Sequence, residues 1–546
     1  MRSFALAILL LTPAFGQPTA FEAADVRAVK VNPSNFDIFM KGPTVRSGRY
    51  EIRTATMVDL ISKAYGVDPD KVLRGPTWVE MDRFDVVAKL PSESTKDSQS
   101  VMLRALLADR FKLVVHNDTK PMPAYALTAS RHPQIKESDG TGDKGCKFEF
   151  KGMPNGPQAA PSDGPPAVPT VVFNCRNMTM ESFADSMRHG FAQNFLHDKP
   201  ILDRTGLTGS WDFSFQFTLR GMAGATNASE NVTIFDALEK QVGLKLELTQ
   251  TPLPVIVIDS VDQRPTANVP DIEKLLPGST APTEFEVADI KATPSDFLGA
   301  RFQIQPGGRV NLQGVNLQLL VQQAWGISED MIVGAPKWFS EDRFDIVAKA
   351  PSAALTGSGP NGPNIDFDAV MTMIKNLLAD RFQLKSHMET KPISAYTLLA
   401  AKPKMKSADP AGHTKCEEGP GPDGKDPRDS NPVLGRLITC YNMSMAKFAE
   451  LLQGLAPGYI HAPVLDSTGL EGAFDFTLSF SPAGALQGGP ARRAGDGPQQ
   501  TQASDPNGAL SLLDALPKQL GVKLELNKRP VEVLVIDHVE QKPTDN

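Results

Sequence analysis

The sequence predicts an α+β protein: a tandem repeat, each copy built from helix-strand-strand units that form small mixed or antiparallel sheets with helices on one face. The first observation behind this is a duplication. Asp82-Arg83-Phe84-Asp85-Val86-Val87-Ala88-Lys89 returns as Asp342-Arg343-Phe344-Asp345-Ile346-Val347-Ala348-Lys349, and Leu107-Ala108-Asp109-Arg110-Phe111 returns as Leu378-Ala379-Asp380-Arg381-Phe382. A repeat this long is one structural unit used twice. The second observation is periodicity: in each copy a stretch of helical spacing is followed by two strand-like stretches, and this order recurs. Helices that do not alternate singly with strands disfavour a doubly wound parallel sheet.

Taken in order, Phe21 to Ala28 and Phe285 to Ala292 alternate apolar and polar residues as opening strands. Met57, Leu60, Ile61, Ala64 and Tyr65 fall at helical spacing, and Gly66 supplies a left-handed end. A strand pair follows; in its second strand Phe84, Val86 and Ala88 share one face, and Arg83, Asp85, Val87 and Lys89 the other. The next unit has a helix through Val101, Leu103, Leu106, Leu107 and Phe111, a strand Lys112 to His116, a turn at Thr119-Lys120-Pro121 and a strand Ala124 to Leu127. A third runs from Met180, Phe183, Ala184 and Met187 through Ile201-Leu202-Asp203 to Trp211–Phe217. The fourth is capped by Thr233, ends its helix at Gly243, and continues as Leu244 to Leu248 and Val255 to Asp259. The second repeat closes alike, with Ser511 and Asp514 opening a helix that ends at Gly521.

These elements divide the chain into a signal peptide at 1–16, a first repeat at 17–264 with a Pro/Gly-rich loop near 150–170, a linker at 265–282, and a second repeat at 283–546. Low-complexity loops are expected near 403–435 and 481–507. The leader follows from Arg2, the apolar run Phe4 to Leu11 and the small residues around Ala14-Phe15-Gly16. That run is shorter than the roughly 20 residues that span a bilayer, so removal after export is expected, with no transmembrane span in the mature chain.

With 546 residues, 41% hydrophobic and 22% charged, the chain can build several cores. A net charge of -7 argues against nucleic acid as a partner. Four cysteines fit an exported protein. Cys175 and Cys440 occupy equivalent places, each preceded in its repeat by one other, Cys146 or Cys416, so pairing within repeats is expected. Free thiols or a four-cysteine metal site are the alternatives, the latter weakened by the lack of Cys-x-x-Cys spacing.

The opening Phe-Glu-Val-Ala-Asp-Ile-Lys, the Pro-x-Trp…Asp-Arg-Phe-Asp core, Leu-Leu-Ala-Asp-Arg-Phe, Glu-Thr-Lys-Pro, Asp-x-Thr-Gly-Leu-x-Gly-x-x-Asp-Phe and the final Val-Ile-Asp-x-Val together resemble a secreted, acidobacterial (Solibacter-type) domain-of-unknown-function family. The resemblance covers nearly the whole mature chain, once per repeat; members usually carry one such domain, so the tandem pair is a departure. It implies export and brings no catalytic residue with it. Some relatives resemble the sensor portion fused to membrane metallopeptidases, but no peptidase motif is present here. The helix-strand-strand pairs are also similar in architecture to the short N-terminal domains of secretins and TonB-dependent receptors.

Candidate chemistry is sparse. Asp82 and Asp85, with Asp342 and Asp345, could form carboxylate pairs, but residues three apart on a strand face opposite ways. The expectation is Asp82 in a turn, and Arg83 with Asp85 on a solvated face. His116 and His387 match in position, yet each is one histidine in a strand with no second ligand at zinc spacing. Trp78, Trp338, and Trp211 against Phe474, are expected as core anchors. The loops Asp203 to Gly209 and Asp466 to Gly472 run strand to strand and lack a phosphate-cradling helix start. Gly-x-Ser-x-Gly, His-Glu-x-x-His and Gly-x-Gly-x-x-Gly are absent. No catalytic, cofactor or metal residue is therefore expected, leaving Cys146, Cys175, Cys416 and Cys440 as the singled-out set.

The leading expectation is a non-enzymatic secreted or periplasmic protein whose domains bind a protein, peptide or glycan in the envelope or medium, with open sheet edges able to accept an added strand. One alternative is a hydrolase assembled from Asp85, His116 and their copies. Another is an assembly module that self-associates through sheet edges.

Overall fold

The computed structural model describes residues 19–29, 40–151, 170–189, 199–218, 232–279, 281–294, 299–305, 307–359, 362–410, 412–421, 425–483 and 508–544. The expected leader at 1–16 and most of the loops near 150–170 and 481–507 lie outside these residues. The chain divides into two compact units, one of Met1–Pro69, Leu73–Val115 and Ile258–Asn546, the other of Asp70–Val72 and His116–Val257. The opening part of the first repeat thus belongs with the whole second repeat.

In chain order the first repeat contains β1 (Ala23–Val29), β2 (Lys41–Arg46), β3 (Arg49–Thr56), α1 (Met57–Tyr65), β4 (Val72–Leu73), β5 (Arg83–Lys89), α2 (Lys96–Phe111) and β6 (Val114–Ala129). Then come β7 (Lys136–Glu137), β8 (Gly145–Lys151), β9 (Thr170–Met178), α3 (Met180–His189), β10 (Ile201–Asp203), β11 (Trp211–Thr218), α4 (Ile234–Ala237) and β12 (Leu244–Ser260). A short α5 (Ile272–Leu275) lies in the segment read as a linker. Three four-stranded sheets result: antiparallel β1-β5-β3-β2, antiparallel β7-β11-β9-β8, and a mixed β10-β6-β12-β4 in which β10 runs parallel to β6. The second repeat reproduces all three orders. Its segment 403–435 is not featureless, since Lys415–Glu418 pairs there with Arg436–Met443.

Local chemistry explains the helices. Thr56 and Asp59 form a reciprocal capping box at the start of α1, and Gly66 ends it at φ 67°. The helix buries Met57, Leu60, Ile61 and Ala64 with Ile52, Phe84 and Val86 of the first sheet. Phe84 meets Phe111 of α2 edge-on at 5.0 Å, and the copy pair Phe344 and Phe382 does so at 5.1 Å.

Two expectations about units are corrected. The two strands after α1, and likewise after α3, enter different sheets: β4 and β10 join the mixed sheet while β5 and β11 complete the antiparallel ones. The turn expected at Thr119-Lys120-Pro121 does not exist, because β6 runs unbroken for 16 residues and β12 for 17 through Pro252 and Pro254. The prolines are tolerated for a geometric reason. Tyr125 points its N–H outward to the Pro200 carbonyl at 2.8 Å, so Pro121 and Pro123, at even spacing, have their missing donors on the same outward side. There β10 covers only Tyr125–Leu127. In the second repeat Pro392 sits directly opposite Pro530.

Candidate functional site

The repeated Arg-Phe-Asp motif is a clamp on a β-bulge. On β5 the Asp85 carboxylate accepts the Thr54 N–H at 2.8 Å, and Arg83 donates to the Thr54 carbonyl at 2.9 Å. Thr54 stands at φ 51° within the bulge between Ile52 and Ala55. The copy repeats both bonds: Asp345 accepts from Gly314 N–H at 2.9 Å, and Arg343 donates to the Gly314 carbonyl at 2.8 Å. Arg83 and Asp85 share the outer face of the strand, as expected, but are half-buried there because the pleat carries both onto the bulge backbone. Asp82 does lie in the turn before β5, and its carboxylate accepts from Gln263 at 2.7 Å, as Asp342 does from Gln541 at 2.7 Å.

His116 and His387 are exposed strand residues. His387 Nδ1 lies 2.9 Å from Asp537 Oδ2, and this hydrogen bond raises its pKa above the ordinary histidine value. Asp345 and His387 occupy different sheets, and their hydrogen bonds go to different residues. Asp85 belongs to one compact unit and His116 to the other. Asp203 and Asp466 accept the N–H groups of Thr205 and Thr468 at 2.9 Å, ordinary Asx turns. Trp78 and Trp338 are half-buried and pack at the core's edge, Trp78 against Phe84 and Trp338 against the core around Phe344, whereas the neighbours Val79 and Phe339 are 3% and 1% exposed and lie fully inside. Trp211 and Phe474 pack, partly buried, against the cores of the second-half sheets. Cys146 pairs with Cys175 (S–S 2.00 Å) and Cys416 with Cys440 (S–S 1.94 Å), each across directly opposed strand positions.

A cleft of about 360 Å³ lies on the outer face of β1-β5-β3-β2. The alternation Arg49-Tyr50-Glu51-Ile52-Arg53 sends Tyr50 and Ile52 into the core and the three charges outward. Strand register sets Arg27 beside Asp85, and both Asp25 and Glu51 beside Val87. Arg49 Nε lies 2.6 Å from Glu51, Arg53 Nη2 3.1 Å from Glu51, and Arg53 Nη1 3.3 Å from Asp85. Burial pulls the Arg53 guanidinium pKa down, but Glu51, Asp85 and Asp368 outweigh it and hold it above its ordinary value.

The segment after the first repeat covers this cleft. Its root is fixed, because Thr266 and Asn268 accept from the buried Arg110 at 3.0 and 2.6 Å and Ile272 is 3% exposed. Its tip is held by two contacts, an exposed one from Arg27 to Glu273 at 2.5 Å and a part-buried one from Arg49 to the Pro277 carbonyl at 2.6 Å. The exposed Arg27–Glu273 pair is screened by solvent, which leaves the single Arg49 hydrogen bond as the tip's main polar attachment to the sheet. The second repeat has Asn311 and Gln313 where the first has Glu51 and Arg53. Arg49, Glu51 and Arg53 belong to no repeated motif, and their period-two spacing before α1 is the one sign of them in the sequence.

Among the described residues no helix is long and apolar enough to cross a membrane, and no group of three His, Cys, Asp or Glu could hold a metal. Comparison with curated proteins and with solved structures returns no match. A family model described as "Protein of unknown function (DUF3738)" matches residues 58–261 and again 318–539, more than half of the chain and once per repeat, so the chain belongs to that family, present here as a tandem duplication.

Proposed function

We propose that this chain is a non-catalytic binding protein of the periplasm or extracellular medium, exported by its N-terminal leader and of acidobacterial type, and that the cleft on β1-β5-β3-β2 takes a charged segment of a peptide. The observation that carries this is the juxtaposition of Arg27, Arg49 and Arg53 with Asp25, Glu51 and Asp85 beneath a tip that Arg27 and Arg49 themselves hold. Guanidinium forks and carboxylates recognise partner carboxylates, guanidiniums and backbone amides, and lifting the Glu273–Ser279 tip exposes both kinds together. Two disulfides fit an oxidising compartment. Binding is favoured over hydrolysis because the recurring carboxylates Asp85 and Asp345 are already bonded to bulge N–H groups.

The test is calorimetry of the full chain against a random charged-peptide library and neutral oligosaccharides, with Arg53→Gln as the cleft variant. Peptide binding weakened about tenfold or more by Arg53→Gln is expected. Peptide binding unchanged by that substitution, or no binding by any ligand, overturns the proposal.

A further inference from the structure

The duplication supplies two ridges and two seats, and one ridge meets one seat within a single compact unit. In the first repeat the residues before β5 form a ridge that docks on the second repeat. The Glu80 carboxylate accepts the Thr414 N–H and lies 2.5 Å from His413 Nδ1, and Asp82 pairs with Lys447 at 2.8 Å. Met81 packs on the core that contains Phe448 and Leu452. The seat is therefore the stretch just before Cys416 together with the start of helix Met445–Leu455.

The two disulfides fix the equivalent seat in the first repeat. Cys146 stands opposite Cys175 as Cys416 stands opposite Cys440, so Lys144 takes the place of Thr414 and Ser182, one residue before Phe183, the place of Lys447. Both line a cleft of about 620 Å³ beside α3, together with Glu181 and Asp185. The equivalent ridge in the second repeat, Trp338-Phe339-Ser340-Glu341-Asp342, leaves Ser340 and Glu341 exposed.

We propose that the Ser340–Asp342 ridge of one molecule seats in the α3 cleft of a second copy, in the manner of the Glu80–Asp82 ridge within the chain. The chemistry has shifted by one position: the acid at Glu341 meets the ammonium of Lys144, where Glu80 meets His413 and the Thr414 amide, and Asp342 meets the Ser182 hydroxyl. Ridge and seat are different surfaces, so the contact is heterologous and grows head to tail. Exposed charges at its rim make it weak and salt-dependent.

Sedimentation velocity of the full chain at low salt, over a wide concentration range, tests this. The expected result is a mass that rises with concentration, an association weakened about tenfold or more by Lys144→Glu and by Glu341→Lys separately, and recovery in the double variant. Both side chains are exposed, and unchanged melting of the variants establishes that they fold. A monomer at every concentration, association indifferent to either substitution, or a double variant that does not recover overturns the proposal; in the last two cases another occupant fills the cleft.

Discussion

The Asp212 carboxylate accepts the backbone N–H of Asn177 at 2.8 Å, and Asn177 stands at φ 49° on the neighbouring strand. Asp475 and Asn442 repeat the relationship at 2.8 Å with φ 47°, and Asp85 with Thr54 and Asp345 with Gly314 repeat it in the other antiparallel sheets. Each antiparallel four-stranded sheet thus contains one bulge whose left-handed residue is fixed by an aspartate beside a core phenylalanine. The aspartate satisfies a donor that the irregular ladder leaves over, and the phenylalanine next to it locks the strand's facing.

Asp212→Ala should therefore cost about 1–3 kcal/mol, the penalty for a part-buried N–H left without an acceptor. Asn177→Gly should cost less, because glycine adopts positive φ freely. Chemical denaturation of both variants checks the order, and an Asp212→Ala midpoint equal to the parent's contradicts it.

Much of this was legible before any coordinates. Periodicity and cap residues located α1, because Thr56, Asp59 and Gly66 all act locally. The bulge clamps were not legible, since Asp85 acts on a residue 31 positions earlier and nothing near Asp85 marks Thr54. The straight course of β6 through Pro121 was hidden for a similar reason: a proline reads as a turn until the outward side of its strand is known to be open. The charged cleft was half-visible, in that the alternation of Arg49, Glu51 and Arg53 could be read but its cover, some 220 residues later, could not.

Of the aromatic residues before the second Asp-Arg-Phe-Asp, Phe339 and not Trp338 should carry the stability. Phe339 is 1% exposed, so Phe339→Ala should cost ~3–5 kcal/mol as a large-to-small core change. The half-buried Trp338 should cost ~1–2 kcal/mol on the same substitution. Equal denaturation midpoints for the two variants would contradict this ordering.

His387 should titrate above the ordinary histidine value of about 6.5. Its hydrogen bond to Asp537 raises the pKa, partial desolvation lowers it, and the nearby charges of Asp537 and Glu389 add to the rise. Because the folded value is the higher one, the stabilisation is complete below the unfolded value and is lost as pH rises through the folded one. An NMR titration should show the raised midpoint in the parent and a lower one in Asp537→Asn. A parent midpoint at or below the ordinary value removes the claim.

Residues 17–264 and 282–546, expressed apart with export to an oxidising compartment, should both fold, but not equally well. A cut after 264 removes Thr266 and Asn268, two of the acceptors of Arg110, which is only 7% exposed. It also frees the Val26 N–H, which Asn268 accepts at 3.1 Å. A guanidinium left in that position with only the Ala24 carbonyl, 3.2 Å from its Nη1, should cost about 1–3 kcal/mol. The second repeat keeps its own equivalent, since Arg381 donates to the Thr544 carbonyl at 3.0 Å inside the same fragment. What the second fragment loses is the docked ridge: Met81 leaves the core around Phe448, and Lys447 loses Asp82. A fragment of 17–279 should accordingly melt above 17–264, and 282–546 should melt cooperatively below the full chain. If 17–264 and 17–279 melt together, the segment after the first repeat is a spacer, and the tether through Arg110 contributes nothing to the first repeat's fold.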